Sequence, residues 1–164
     1  MSQQTYDPPV TSPAVAGVSA ALRAAGVEAE LRAFAETVPT AAAAAAALGC
    51  EVGAIANSLV FAVGDTPLLV LASGAHRVDT AKLAGLLDCG RIRRATPAFV
   101  LEHTGQQVGG VAPVGHPERL RTVVDVALAA FAVLWAGAGD EHTMFATNFD
   151  QLLALTGGTA VEVA

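Results

Sequence analysis

Apolar and polar positions along the chain follow two rhythms, and the changes between them mark the elements. In residues 12–27, SPAVAGVSAALRAAGV, apolar side chains recur at helical spacing and Gly26 follows the last turn. That pattern predicts a first helix. Residues 28–35, EAELRAFA, set Ala29, Leu31, Ala33 and Ala35 against Glu30, Arg32 and Phe34, a period of two that predicts a strand. Thr40 then precedes an alanine run closed by Leu48 and Gly49. Threonine caps well, alanine has the best helix propensity and glycine stops a helix, so a second helix is expected there. Two β-rich runs, AIANSLVFAV (54–63) and PLLVLAS (67–73), flank Gly64-Asp65-Thr66 and predict a hairpin.

The second half mixes the rhythms. Residues 79–90, DTAKLAGLLDCG, predict a helix capped by Asp79 or Thr80 and stopped by Gly90. RIRRATPAFVLEHTG (91–105) joins a short strand to a helix with Thr96 as cap and Pro97 in the first turn. Residues 106–120, QQVGGVAPVGHPERL, are punctuated by Gly and Pro and read as a loop. Strands are expected at Thr122–Ala127 and Ala130–Ala136. A turn, a strand, a helix Phe149–Leu155 capped by Asn148, and a final strand complete the chain. Residues 1–12, rich in Pro, Ser, Thr and Gln, read as a flexible tail, and residues 13–164 as one domain. Helices alternate with strands, and hairpins interrupt the alternation. The expected fold is therefore a single mixed α/β domain, not a purely parallel nucleotide-binding sheet.

Composition agrees with that class. The 164 residues are 53% hydrophobic and 15% charged, which excludes a disordered chain. The most apolar stretch, Val123 to Gly139, falls short of the ~20 residues of a membrane span and contains Asp125. The N-terminus has neither the basic start nor the apolar core of a signal peptide, so a cytoplasmic location without membrane association is expected. Net charge is −6, yet seven of the nine Lys and Arg lie between His76 and Thr122, together with four acids. Either a local positive face or an ordinary solvated surface fits that distribution. Cys50 and Cys89 form neither a metal signature nor a disulfide framework, and read as small buried hydrophobes.

Several chemistries lack their motifs. The chain has no G-x-x-x-x-G-K-[ST] phosphate loop, no G-x-G-x-x-G after a strand and no G-x-S-x-G elbow. The four histidines lack the spacing of a helical zinc pair. No metal and no cofactor is expected.

Four separated pieces carry a resemblance: AAALGCEVGAIANSLVF (45–61), LLVLASGAHRVDTAKLAGLL (68–87), GQQVGGVAPVGHP (105–117) and WAGAGDEHTMFATNFDQLLALTGGTAVEV (135–163). In this order they resemble the YbaK/EbsC family, the prolyl-tRNA-synthetase-associated editing domain, over residues 15–163. The resemblance implies a mixed, partly barrel-like β-sheet surrounded by helices. It implies hydrolysis of the ester of mischarged tRNA carrying a small amino acid, by a trans-acting aminoacyl-tRNA deacylase. The implied partners are the 3′ end of aminoacyl-tRNA and an aminoacyl-tRNA synthetase. The implied catalytic positions are Asn57, Gly109 and Gly110. The implied substrate-binding positions are Ser58, Ser73, His76, Arg77, Val111, Ala112, Pro113, Gly115 and His116.

Elementary chemistry is compatible with that activity. An aminoacyl ester is already activated, so its hydrolysis needs a small pocket, donors for the developing oxyanion, and a positioned water or ribose hydroxyl. Gly109 to Gly115, GGVAPVG, suits such a wall, since glycine permits close backbone approach and proline fixes the loop; a plain tight turn fits the same residues. A size-excluding pocket would supply specificity. The chain departs from the family at Asn57, where many members carry a lysine. An asparagine donates and accepts hydrogen bonds but is not a cation. Three outcomes are open: Asn57 acts by hydrogen bonding alone, an arginine such as Arg77 or one of Arg91–Arg94 takes the electrostatic role, or the activity is weak, shifted or lost. The alternative function is a non-catalytic module that binds tRNA or an amino-acid-like ligand. SGAHRVD (73–79) serves either phosphate and ribose recognition or a local cap and ion-pair network.

Overall fold

The computed structural model describes residues 12–164. Residues 1–11 of the expected tail lie outside the described residues. Ser12, its last residue, is the cap of the first helix: its Oγ accepts from the Val15 N–H at 3.2 Å. Helix α1 (Pro13–Ala24) buries Val15, Val18 and Leu22, one stripe at helical spacing. A short strand β1 (Leu31–Ala33) comes next, then α2 (Ala41–Leu48), capped by Thr40 and ended by Gly49 at φ 70°. A single 3₁₀ turn, Val52–Ala54, leads into β2 (Ile55–Val63) and β3 (Thr66–Ser73). Their register pairs Val63 with Thr66, so the hairpin loop is Gly64-Asp65, with Gly64 alone at positive φ. That is the glycine-first arrangement of a type II′ turn.

Asp79 caps α3 (Thr80–Leu87), and β4 (Ile92–Arg94) precedes α4 (Pro97–Thr104), capped by Thr96. Then come β5 (Arg121–Asp125), a 3₁₀ segment at Val126–Ala130, β6 (Leu134–Gly137), β7 (Thr143–Thr147), α5 (Phe149–Thr156) and β8 (Thr159–Val161). Three expected strands are shorter than the sequence pattern suggested. The strand expected at Thr122–Ala127 stops at Asp125, because the Asp125 carboxylate accepts from the Ala127 N–H and turns the chain. The one expected at Ala130–Ala136 begins only at Leu134. The strand expected over 28–35 keeps three residues, since alternating alanines offer little side-chain surface to hold a ladder. The apolar stretch Val123–Gly139 is thus two strands around a turn. No helix among the described residues is long and apolar enough to cross a membrane.

The eight strands of the described residues join one mixed sheet in the order β1-β7-β6-β2-β3-β5-β8, with β4 attached to β2 off that path. The path does not close on itself: β1 and β8 are its two ends. The hairpin β2–β3 is antiparallel, while β3–β5, β5–β8 and β2–β6 are parallel. Strand β3 is covered on both sides. Leu69 and Leu71 pack with Val18, Leu22, Phe145 and Leu152, whereas Leu68, Val70 and Ala72 pack with Leu83, Ile92 and Val163. A strand buried on both faces needs apolar residues at every position, which is why LLVLA carries no alternation. A third cluster gathers Ala44, Ile55, Trp135 and Met144 under α2, with Cys50 packed against it. Partial burial pushes the Cys50 thiol up from its ordinary range, but Cys50 and Cys89 are only half-buried, short of the burial expected of them. Cys89 packs against the second cluster.

Candidate functional site

The site begins with a mismatch of strand lengths. One side of β2 pairs with β3 along its whole course, from Ala56 to Val63. The other side is shared by two short strands: β6 takes Ile55 and Ala56, and β4 takes Phe61 to Val63. Asn57 to Val60 are left without a partner strand on that side. Backbone groups alternate along a ladder. The Ile55 carbonyl accepts from the Gly74 N–H on the β3 side at 2.8 Å, so the N–H and C=O groups of Ser58 and Val60 point into the gap.

A cleft of about 730 Å³ opens at this gap. Side chains alternate across the sheet, so neighbours in sequence reach it from opposite faces. Ser58 shares a face with Ala56 and Val60, which pack toward Val100 and Val111. Asn57 shares a face with Ile55 and Leu59 and looks toward the segments that carry Ala41, His76 and Arg77. The Ser58 hydroxyl is buried and has no hydrogen-bond partner. Buried polar groups are normally paired, so a lone hydroxyl on a cleft wall stands ready for a bound molecule.

The loop 105–117 forms the inner wall. Gly105 leaves α4 at φ 71°, and Gln106, buried at 2% exposure, organises the rest of the loop. Its Oε1 accepts from the Ala112 N–H at 2.7 Å and its Nε2 donates to the Val114 carbonyl at 3.2 Å. The His116 Nε2 donates to the Ala112 carbonyl at 2.8 Å. Burial lowers the His116 pKa below the usual imidazole range, against the opposing pull of that carbonyl. The loop docks on the β6–β7 turn, where the Gly139 N–H donates to the Gly110 carbonyl at 2.9 Å. A Cβ on Gly110 would stand 2.4 Å from the Asp140 carbonyl carbon; here the glycine is required by close backbone approach.

The expected site residues therefore divide. Asn57, Ser58, His76, Arg77, Gly109 and Val111 line the cleft together. Gly110, Ala112, Pro113, Gly115 and His116 stand behind the wall and hold it, with Gly115 packed against Val18 of α1. Ser73 is buried: its Oγ donates to the Gly53 carbonyl at 2.9 Å and accepts from the Ala75 N–H. The Gly110 N–H donates to Gln107 and the Ala112 N–H to Gln106. Among the described residues, the N–H groups of the loop's cleft-lining residues, Val108, Gly109 and Val111, have no hydrogen-bond partner.

Two further features complete the site, and sequence reasoning missed the first of them. Asp125 is 1% exposed, and its Oδ2 accepts from the Ser73 N–H at 3.0 Å and lies 2.8 Å from His76 Nδ1. It binds the loop after β3 to the end of β5, from 49 residues away. The arginines are the second feature. Arg77 and Arg94 line the cleft, and Arg91 and Arg93 are exposed nearby on and beside β4. Among the described residues none of these four forms an ion pair with a carboxylate. Arg77 and Arg94 thus bring positive charge to a cleft whose lining also includes Asp140, with the Glu141 carboxylate beside Gly109. No three His, Cys, Asp or Glu side chains among the described residues gather closely enough to ligate a metal.

The sequence profile of the aminoacyl-tRNA editing domain matches residues 35–155, which hold the hairpin, the open edge and the inner wall. The chain belongs to this family. Editing-domain relatives include the proline–tRNA ligase of Levilactobacillus brevis, 29% identical over 105 residues, or 63% of this chain and 18% of the ligase. The chain spans less than a fifth of the length of such ligases. The Bacillus subtilis protein YwhH is 32% identical over 101 residues, covering 61% of this chain and 64% of YwhH. Among solved structures, a candidate trans-editing enzyme for prolyl-tRNA synthetase superposes with a TM-score of 0.88 at 37% identity, covering 93% of this chain and 98% of that one. The mixed sheet with its five helices is the fold of that editing structure.

Proposed function

We propose that this editing domain acts in trans as a deacylase, hydrolysing the ester of mischarged tRNA that carries a small amino acid. The observation that carries this reading is the cleft at the open edge of β2, with Asn57 and Ser58 on one side and Gly109 and Val111 on the other. Each requirement of ester hydrolysis has a group to meet it. The Gly109 and Val111 N–H groups suit the oxyanion that develops on the ester carbonyl. Ala56, Val60, Val100 and Val111 form a short apolar wall suited to a small side chain, which excludes larger ones by size. The unpartnered Ser58 hydroxyl adds a polar contact for the amino acid. Arg77 and Arg94 supply positive charge for the 3′ end of the tRNA, so the electrostatic role need not fall on Asn57. The similarity to a candidate trans-editing enzyme along nearly its whole length supports free-standing action. Prolyl-tRNA synthetase homologues point to a synthetase as a further partner.

The test is a panel of mischarged tRNAs incubated with the protein, with release of the amino acid measured over time. Hydrolysis of at least one small aminoacyl-tRNA above the water rate is expected, with binding that weakens steeply as salt rises because phosphate contacts release counterions. No release from any member overturns the reading. A second reading rests on Asn57, the uncharged residue where many family members carry lysine: a module that binds tRNA without cleaving its ester. An inert wild type that gains hydrolysis on Asn57→Lys supports the module; robust wild-type hydrolysis that falls on Asn57→Ala supports the enzyme.

A further inference from the structure

Ester hydrolysis by water needs a group that takes a proton from the attacking oxygen. The Asn57 amide, the Ser58 hydroxyl and the loop N–H groups do not accept a proton at neutral pH. His76 does. It lines the cleft on the β3 side, held there by local geometry: the register sets Ala56 opposite Ser73, and the His76 N–H turns back to the Ser73 carbonyl at 2.9 Å. His76 and Asn57 line the same cleft.

The imidazole is also oriented. Its Nδ1 lies 2.8 Å from Asp125 Oδ2, while Asp125 is 1% exposed and takes two backbone N–H groups, Ser73 at 3.0 Å and Ala127 at 2.9 Å. An acceptor-only carboxylate facing Nδ1 selects the tautomer with the proton on that nitrogen. The Nε2 lone pair is then the free end of a side chain that remains 37% exposed. A buried carboxylate, an imidazole and a free ring nitrogen on a cleft form the general-base arrangement known from hydrolases of unrelated fold.

We propose that His76 is the general base of the deacylation and Asp125 its positioning residue, an assignment that rests on the deacylase reading. Water attacks the ester carbonyl carbon as Nε2 takes one of its protons, and a carbon–oxygen bond forms. The resulting oxyanion sits on the Gly109 and Val111 N–H groups. Collapse of this intermediate breaks the bond to the terminal ribose oxygen, which receives the proton back from Nε2. Free amino acid and tRNA with intact terminal hydroxyls leave, and His76 returns to its starting state.

The discriminating variant is His76→Asn. An asparagine amide reaches the Nδ1 position and keeps the hydrogen bond to Asp125, but nothing occupies the place of Nε2. The expected result is a kcat lower by roughly 10²- to 10⁴-fold, with KM and the melting temperature near wild type. His76→Gln, whose amide reaches the Nε2 position without the basicity to accept a proton, is expected to be equally slow. A His76→Asn enzyme within about threefold of wild-type kcat overturns the proposal and leaves His76 as a pin for its loop. Nitrogen-15 NMR of the imidazole reads the tautomer without substrate: a proton on Nδ1 is expected, and one on Nε2 overturns the role of Asp125. If the wild type releases no amino acid from any tRNA, the deacylase reading itself fails. That result is distinct from an active wild type with an active His76→Asn variant.

Discussion

Gln106 is the residue on which the inner wall of the cleft depends, and its replacement by alanine gives a worked test of how the site is built. The side chain is 2% exposed and bridges two points of its own loop, the Ala112 N–H and the Val114 carbonyl. Gln106→Ala leaves the fully buried Ala112 N–H without an acceptor, which costs about 1–3 kcal/mol. The half-buried Val114 carbonyl recovers some hydration, so its loss is smaller. Removing the buried methylene adds about 0.8 kcal/mol. The sum is about 3 kcal/mol, and at roughly 2–4 °C per kcal/mol for a domain of this size the melting temperature falls by about 6–12 °C. Gln106→Met separates the causes, because it fills the volume and lacks both hydrogen bonds; most of the loss is expected to persist. Thermal denaturation reads the global effect and hydrogen exchange of the Ala112 amide reads the local one. Gly109 and Val111 lie between Gln106 and its partner Ala112, so deacylation is expected to slow at temperatures where the variant is still folded. Two variants that melt within about 2 °C of wild type, with Ala112 equally protected, refute the reasoning.

Other outcomes depend on single positions. His116 is held below the ordinary imidazole pKa by burial, so the unfolded chain binds its proton more readily than the folded one. Its contribution to stability is complete above about pH 6.5 and is lost as pH falls through the window below that value. Urea midpoints measured from pH 7.5 to 5 should fall more for wild type than for His116→Gln, and equal slopes would contradict this. Ser58→Ala removes a buried hydroxyl that has no partner, so the melting temperature is expected to hold or rise, with a gain of up to about 1 kcal/mol, while the preference among small amino acids shifts. A marked drop in melting temperature would mean that the hydroxyl is paired in the folded protein. Gly110→Ala drives a Cβ against the Asp140 backbone and is expected to cost about 1–3 kcal/mol. Gly85→Ala, in the middle of α3 with open space around it, should instead stabilise by about 0.5–1 kcal/mol; paired thermal scans that show the same sign for both would refute the contact argument.

The features legible in the sequence were local. Thr40, Asp79, Thr96 and Asn148 each cap the helix they were expected to cap, because a cap is a contact between residues three apart. The Gly64-Asp65 turn set the β2–β3 hairpin for the same reason. The strand expected over 28–35 fell short because period two survives in its letters while its alanines bury almost nothing, and the one at 122–127 because Asp125 turns the chain. Long-range partners left no such trace. Asp125 read as a polar interruption of an apolar run, and only the parallel pairing of β3 with β5 brings it to Ser73 and His76. Gln106 read as part of a loop, since nothing in its neighbours shows that its amide will be buried. Asn57 and Ser58 read as one polar pair, whereas the pleat sends them to opposite faces of the sheet.

The cleft itself is a consequence of strand length. Strand β2 has nine residues, and the two strands that share its free side together meet only Ile55, Ala56 and Phe61 to Val63. Strand β6 ends at Gly137, where a side chain would collide with the Val111 carbonyl, 2.8 Å from the Cβ position. The inner wall therefore packs over the face of β6 at Gly137, where the glycine admits it beside the open backbone of Ser58 and Val60. An exposed strand edge is normally a liability that proteins cover or charge. Here it lies recessed between two strands, with Arg94 of β4 at one end and the His76 loop near the other. A bound ester can use that edge, while the recess keeps another strand from pairing with it.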